Sequence, residues 1–307
     1  MGNLIVSTSP HIHNKRTTTH IMLDVIIALI PAMAASVILF GLRCLLLLLV
    51  SVAAAVASEF VFEKLCKKKV TVKDLSAVIT GIILALNVPA TLPLWQVAVG
   101  SVFAIIVVKQ LFGGIGHNFA NPAATARVMM ALSFTAATSA SVFPRMDTVT
   151  SATPLAIIKT GSEEALPSIL DMLLGNRGGA LGETCAIALL LGGIYLLVRR
   201  VITWHTPVAF IGTVFILSWA LGLPPVYEIL SGGLILGAVF MATDYSSTPI
   251  NARGRLIFGV GCGLITMLIR KWGIYPEGVS FAILFMNILT PYIDKWCRRK
   301  PLGGADR

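Results

Sequence analysis

Long uncharged stretches alternate with short polar ones along almost the whole chain. Segments 21–41, 44–63, 75–88, 95–112, 119–138, 182–198, 206–222, 226–243, 256–269 and 277–294 are apolar, with few charges or none. Their apolar residues run continuously instead of alternating with a period of two, which predicts helices and not the strands of a membrane barrel. The longer segments approach the ~20 residues an α-helix needs to cross a bilayer, and the shorter ones are expected to be tilted or broken. Backbone groups in hydrocarbon must find partners within their own segment, and a helix supplies them. The expected fold is an all-α polytopic membrane protein with about ten transmembrane helices.

Composition strengthens that reading. With 56% hydrophobic and only 12% charged residues, 307 residues carry too little polar surface to cover a soluble globule, and the mean hydropathy is +0.86. Twenty mostly polar residues precede the first apolar block and no small-residue cleavage site closes it, so it is read as a retained helix, not a signal peptide. The five cysteines, Cys44, Cys66, Cys185, Cys262 and Cys297, are scattered without a C-x-x-C pair. They predict packing residues, and neither a disulfide framework nor a metal site.

Charge placement sets the expected orientation. With a cytoplasmic N-terminus, most basic residues fall inside, among them Lys64, Lys67, Lys68, Lys69, Lys73, Arg199, Arg200, Arg253, Arg255, Arg298, Arg299 and Lys300. Only Arg43, Arg145, Lys159, Arg177, Arg270 and Lys271 fall outside, while Arg127 lies within a span. The positive-inside rule then puts both termini in the cytoplasm and residues 139–181 on the external face. Cytoplasmic Lys and Arg facing anionic membrane lipid account for the net charge of +10, so no nucleic-acid partner is expected.

The two halves resemble each other. Asp74-Leu-Ser76-Ala-Val-Ile-Thr-Gly81 in one parallels Glu228-Ile-Leu-Ser231-Gly-Gly233 in the other. Each apolar run then breaks, at Asn87-Val-Pro89 and at Thr243-Asp244-Tyr-Ser-Ser-Thr248-Pro249. A helix ending in a cation follows each break (Lys109; Arg270-Lys271), and a Pro-bearing helix start follows that, at Asn121-Pro122 and Tyr275-Pro276-Glu277. These matches predict two five-helix repeats, 21–138 and 182–296, flanked by a cytoplasmic segment 1–20 and a basic tail 297–307. An odd number of crossings per repeat inverts the second relative to the first, as in many transporters.

Polar groups within the apolar segments form the shortlist for function, because hydrocarbon penalises them unless the interior supplies partners. They are Asn87, Asn118, Asn121, Arg127 and Asp244. Arg127 suits an anionic flavin or quinone oxygen, and equally a structural pair or a snorkelling side chain. Asp24, Glu183 and Asp244 read as end-of-helix or packing acids, and no carboxylate cluster marks a committed ion site. Gly113-Gly114-Ile-Gly116 follows a helix and not a strand, so it is no dinucleotide fingerprint. In the polar interlude, Asp147-Thr-Val-Thr150-Ser151-Ala152-Thr153 before Pro154 suits a capping turn. It also suits a loop that another protein can grip, with a threonine hydroxyl able to carry a phosphate ester.

These residues carry a family resemblance. Gly116-His-Asn118-Phe-Ala-Asn121-Pro122-Ala-Ala-Thr-Ala-Arg127 resembles the asparagine-and-proline helix start of the RnfD/NqrB membrane subunits. Met241-Ala-Thr-Asp244-Tyr-Ser-Ser-Thr-Pro249 is similar to their second break, and Gly182-Glu183-Thr184 opens a run similar to their sixth helix. Thr150-Ser151-Ala152-Thr153 falls on the family's flavinylation sequence after an upstream Asp, with Ser151 where the family has Gly. The length favours the RnfD branch.

The resemblance implies a urea-transporter-like pair of inverted repeats and an electron-carrying subunit of the Rnf complex. That complex couples electron transfer between ferredoxin and NAD⁺ to sodium or proton movement across the prokaryotic inner membrane. It further implies FMN bound covalently to the Thr153 hydroxyl through its phosphate by a separate flavin transferase, and a second, non-covalent flavin such as riboflavin. The implied partners are the flavin and iron–sulfur subunits of the complex. Asp147, Thr150, Ser151 and Ala152 belong to the attachment motif, while Arg127, Asn118, Asn121 and Asp244 become flavin or pathway contacts. The competing expectation, from the same repeat, is a redox-silent channel or transporter for a small solute.

Overall fold

The computed structural model describes residues 17–139, 153–161 and 166–298. Those residues are helical, with no strand among them. Two long apolar helices open the fold, α1 (Thr18–Phe40) and α2 (Leu42–Leu65). Thr17 caps the first by accepting the His20 N–H, and Gly41, at φ +73°, reverses the chain between them. A 3₁₀ turn, Val72–Asp74, leads to the short α3 (Ser76–Leu86). Pro89 disfavours helix in the residues before it, so α3 stops at Asn87.

α3 ends inside the protein, and a distant segment completes its backbone hydrogen bonding. The Gly182 N–H donates to the Leu86 carbonyl at 2.7 Å and the Leu181 N–H to the Val88 carbonyl at 3.0 Å. Ser36 on α1 in turn donates to the Leu181 carbonyl at 2.8 Å. A broken helix is tolerated at this depth because protein, not lipid, surrounds the break.

Helix α4 (Leu94–Phe103) continues without interruption as a π-helix, Ala104–Gln110. In α5 (Pro122–Ser133) the Asn121 side chain accepts the Ala124 N–H, and Pro122 takes the first helical position, where its missing N–H costs nothing. A break at Phe134 separates it from α6 (Thr135–Ser139). The short α7 (Pro154–Thr160) and α8 (Ile169–Leu174) precede α9 (Ala186–Val198) and α10 (His205–Ala220). Then α11 (Pro225–Leu230) turns through two left-handed glycines, Gly232 and Gly233, into α12 (Leu234–Leu236) and a second π-helix, Gly237–Met241. The chain closes with α13 (Ala252–Trp272) and α14 (Val279–Trp296).

The all-α expectation holds, but several segments that look like single spans in the sequence are composite. Segment 119–138 divides at Phe134, 226–243 divides at Ser231–Gly233, and helix in 182–198 begins only at Ala186. Hydropathy averages over a window, so it does not register one left-handed glycine pair or a loop that dips inward. By length and composition α1, α2 and α13 are each able to cross a membrane, and Ser76–Leu86, Leu94–Gln110, Ala186–Val198 and His205–Ala220 are shorter apolar helices.

α1 packs on α9, α2 on α3 and α4, α10 on α13, and α5 on α14. Small residues let the backbones approach, as is usual where apolar solvent gives helices no hydrophobic reason to associate. A Cβ on Gly192 of α9 would lie 2.1 Å from the Ala28 carbonyl oxygen of α1, and one on Gly81 of α3 would lie 2.8 Å from the Val52 Cα of α2. Ile38, Leu42, Val198, Trp219 and Ile250 are among many large apolar side chains left exposed, an excess that suits a lipid-facing surface.

Two buried ion pairs tie the helix ends. The Lys109 Nζ donates to Glu59 Oε1 at 2.5 Å and to the Ser76 Oγ at 2.6 Å. The Arg270 Nη1 donates to Glu228 Oε2 at 2.8 Å, and Nη2 donates to the Ser231 carbonyl at 3.0 Å. Ser76 and Ser231, and Lys109 and Arg270, are the residues paired by the sequence match between the halves.

Candidate functional site

Thr153 opens onto a cavity of about 490 Å³ bounded by the end of α3, by α5, by the start of α7, by the loop before α9, by the glycine pair before α12 and by the segment leading into α14. It is the cap residue of α7, its side-chain oxygen accepting the Ala156 N–H at 3.2 Å. An N-cap needs only an acceptor oxygen, and a phosphoester at that position keeps one. Lys159, in the last turn of α7, donates to the Gly273 and Tyr275 carbonyls at 2.6 and 2.9 Å and so holds α7 against the approach to α14.

Arg127 enters this cavity from α5. Its Nη2 pairs with Glu277 Oε2 at 3.3 Å, while the buried Nη1 has no hydrogen-bond partner among the described residues. An unsatisfied guanidinium N–H in a low-dielectric wall costs free energy, and an anionic or carbonyl oxygen placed there would recover it. Tyr275 and Phe281 contribute a stacked aromatic pair, with ring centroids 5.5 Å apart at 20°. Glu183 lines the same cavity, and its Oε1 accepts the Ala180 N–H at 2.9 Å. The left-handed Gly232 and Gly233 keep the opposite wall bare. Polar donors, a bare glycine edge and an aromatic wall suit a planar, hydrogen-bonding, anion-bearing ligand.

A second cavity of about 870 Å³ shares no lining residue with the first and is more apolar, walled by Ile21, Ile79, Ile83, Val239 and Phe240. Its polar edge is one chain of bonds. Asn118 donates to the Ser246 Oγ at 2.8 Å, and Ser246 and Ser247 each donate to Asp244 Oδ2 at 2.9 Å. Asn121 donates to the Met241 carbonyl at 3.1 Å. With its amide turned to satisfy both neighbours, Asn287 donates to the Ser247 carbonyl at 3.0 Å and accepts the Asn121 N–H at 2.9 Å. Met241 is fully buried and also receives Asn87, a residue of the first cavity, whose Nδ2 lies 3.5 Å from its sulfur.

The structure therefore sorts the sequence candidates into two groups. Thr153 and Arg127 share the first cavity, and Asn118, Asn121 and Asp244 share the second. Asp147, Thr150, Ser151 and Ala152 lie outside the described residues. In the sequence Glu183 reads as an end-of-helix or packing acid, yet it lines the first cavity, and Glu277 and Tyr275, which the sequence marks only as part of a helix start, line it too. The signal that points to Glu183 is its setting: an acid between Gly182 and Thr184 ahead of an uninterrupted apolar run. Among the described residues, no three or more His, Cys, Asp or Glu converge in a way that could hold a metal ion.

Comparison with known proteins places nearly the whole chain in one family. The NQR2, RnfD, RnfE family profile matches residues 5–303. The chain belongs to that family. A relative from Acetobacterium woodii, the D subunit of a Na⁺-translocating ferredoxin:NAD⁺ oxidoreductase complex, is 49% identical over 304 residues, covering 98% of this chain and 96% of the relative. One from Clostridium ljungdahlii, the D subunit of a proton-translocating ferredoxin:NAD⁺ oxidoreductase complex, is 40% identical over 318 residues, with 97% and 96% covered. The D subunit of an ion-translocating oxidoreductase complex from Cronobacter sakazakii is 35% identical over 344 residues, with 97% and 98% covered. Family membership and the apolar helices together make this a multi-pass membrane protein.

Proposed function

We propose that this chain is the D subunit of an ion-translocating ferredoxin:NAD⁺ oxidoreductase and that it carries electrons on FMN joined through its phosphate to Thr153. The observation that carries the reading is the meeting of Thr153 with the partnerless Arg127 Nη1 and the Tyr275–Phe281 aromatic pair around one cavity. When bound, FMN supplies reversible electron transfer. The chain's own residues do the rest: Thr153 anchors the phosphate, Arg127 donates to an electron-rich oxygen, and Gly232 and Gly233 leave room for close approach. A separate flavin transferase makes the bond, and flavin and iron–sulfur subunits of the complex exchange electrons with the site on the external face of the inner membrane. The second cavity has the size and apolar walls for a non-covalent flavin such as riboflavin.

The helices are read as two inverted five-helix repeats, with α1, α2, α3, α4 and α5 matching α9, α10, α12, α13 and α14. Two observations support this. The matched pairs α1 with α9 and α5 with α14 pack on each other, as elements beside a two-fold axis do. Each repeat also buries the cation ending its fourth helix against a serine at the start of its short helix, Ser76, or just ahead of it, Ser231. Met241, touched by Asn87 from one cavity and Asn121 from the other, is then the partition an ion must pass. Relatives occur in both a sodium- and a proton-translocating complex, and the same scaffold is read as serving either ion. Coupling requires that the ion bind with different affinity in the two redox states.

The test is direct. Protein co-expressed with an active flavin transferase is denatured and run on a gel, where a covalent flavin fluoresces under ultraviolet light. The wild-type band is expected to fluoresce and the Thr153→Ala band to be dark. A dark wild-type band beside a fluorescent control substrate of the same transferase overturns the reading and leaves the redox-silent channel.

A further inference from the structure

We infer that Glu183 is the proton acceptor that balances charge in the Thr153 cavity, binding a proton when the group held there is reduced and releasing it when that group is oxidised. The inference rests on the flavin-attachment reading above. It starts from how the charges in the cavity wall are partnered. Arg127 is paired with Glu277. Arg177, a cation on the same loop as Glu183, spends its guanidinium on the Glu183 and Leu230 carbonyls, the Thr184 carbonyl and the Ser231 hydroxyl, and gives nothing to the Glu183 carboxylate. Glu183 is itself 6% exposed, its Oε1 takes the Ala180 N–H, and the described residues offer Oε2 no donor.

The surroundings of the carboxylate are glycine backbone. A Cβ on Gly179 would fall 2.4 Å from Oε1 and one on Gly233 would fall 3.3 Å from Oε2, so side chains on these two sides would press the carboxylate out of its place. The charged groups acting on Glu183 are Glu277 ahead of α14, Arg177 on its own loop and Arg127 on α5. The end of α3 contributes the neutral Asn87, the start of α12 its glycines, and α7 Thr153 and Ala156. A buried carboxylate without a direct cation is poorly stabilised as an anion. Adding electrons to a ring in the same cavity sets a second negative charge against it, and the two charges repel strongly where water is scarce. The inexpensive outcome is that reduction and protonation occur together.

A reduced flavin or iron–sulfur centre of a neighbouring subunit would be oxidised as the flavin held at Thr153 is reduced, and an O–H bond would form at the Glu183 carboxylate with a proton from water. When the electrons leave to an oxidised carrier, that O–H bond breaks and the proton returns to water. Glu277 differs from Glu183 in that Arg127 pairs with it directly, at 3.3 Å.

The experiment uses the purified, flavinylated complex carrying Glu183→Gln, a substitution that keeps the shape and the acceptor for the Ala180 N–H. Visible-absorbance redox titration of the covalent flavin across a pH series is expected to give a raised midpoint potential, because a negative charge has been removed, and a shallower pH slope. Glu183→Asp is expected to restore part of the slope. In redox-difference infrared spectra, the carboxyl C=O band that accompanies reduction of the wild type is expected to be missing from Glu183→Gln. Unchanged potential and slope with the band retained overturn the inference. Should Glu183→Gln fail to assemble, a wild-type difference spectrum with no carboxyl band overturns it, and one that has the band while Glu183→Asp shifts its frequency supports it. The same samples are run on a denaturing gel: a dark wild-type band sinks the Thr153 reading, whereas a fluorescent band with an unmoved potential sinks only the role of Glu183.

Discussion

Lys109 and Arg270, the cations matched by the sequence pattern of the two halves, are held in different ways. Lys109 offers a single ammonium to Glu59 Oε1 and the Ser76 hydroxyl, and Glu59 Oε2 is left buried with no partner among the described residues. Arg270 uses two nitrogens at once, on the Glu228 carboxylate and carbonyl and on the Ser231 carbonyl. Ser231 is also bound by Arg177. The arginine fork thus pins the linker that runs through Gly232 and Gly233, and that linker walls the cavity of Thr153. Lys109 and Ser76 line the other cavity, with a compact charge on a flexible stem. One cavity wall is thus fixed by an arginine fork on backbone and carboxylate oxygens, and the other by side chains that converge on Glu59, where Gln110 joins Lys109 by donating to Oε1 at 2.7 Å.

Removing the acid partner on each side tests the contrast most severely. Glu228→Gln leaves the Arg270 charge buried without its counter-ion, and arginine does not give up its proton, so a loss of about 3 kcal/mol or more is expected. Glu59→Gln is expected to lose about 1–2 kcal/mol, since the new amide oxygen can still accept from Lys109 and Gln110. Thermal unfolding of the two variants in the same detergent, followed by tryptophan fluorescence, measures both. Equal losses would break the comparison.

Exchanging the cations is expected to have a smaller and again unequal effect. Arg270→Lys cannot span Glu228 and Ser231 together and is expected to cost about 2 kcal/mol through the lost charge-assisted bonds. Lys109→Arg brings a second donor toward the free Glu59 Oε2, which offsets much of the strain of fitting a larger head, and a net loss of about 1 kcal/mol is expected. The same unfolding assay checks these, and a greater loss for Lys109→Arg would show that packing, not directional bonding, separates the two sites.

Much of this contrast is legible in the sequence, and the rest is not for identifiable reasons. The apolar segments, the break at Asn87 and Pro89 and the Asn121–Pro122 helix start all follow from local pattern, because helix limits and caps are set by neighbouring residues. Arg127 stands out as a charge within an apolar run, and it does line a cavity. Glu59 and Glu228 are hidden because each lies near the end of a segment, where an acid usually meets water, and only tertiary contact shows them buried. Glu183 is marked in the sequence only by its setting between Gly182 and Thr184, and its depth is hidden by its loop. Nothing local indicates that residues 181 and 182 turn inward to complete the end of α3 and carry the acid with them.

The smallest expected effect is at the surface, and it tests whether burial is what gives the two ion pairs their weight. Ser168 caps α8 by accepting the Asp171 N–H at 3.1 Å and donates its hydroxyl to Asp171 Oδ2 at 2.7 Å, a reciprocal cap in which an aspartate serves. The Ser168 hydroxyl, and then the Asn176 amide, hold the Asp171 carboxyl below the usual carboxylate range. A depressed folded-state value means that the contribution is present above the unfolded aspartate value of about 3.9 and is lost as pH falls through the lower folded value. Asp171→Asn should therefore lower the unfolding temperature slightly at neutral pH, and the gap from wild type should close in strong acid. Solvent screens this exposed group, so its loss should stay well below those of Glu228→Gln and Glu59→Gln. An Asp171→Asn loss as large as that of Glu228→Gln would mean that carboxylate contacts matter here irrespective of depth, and the contrast between the halves would then have to rest on hydrogen-bond number alone.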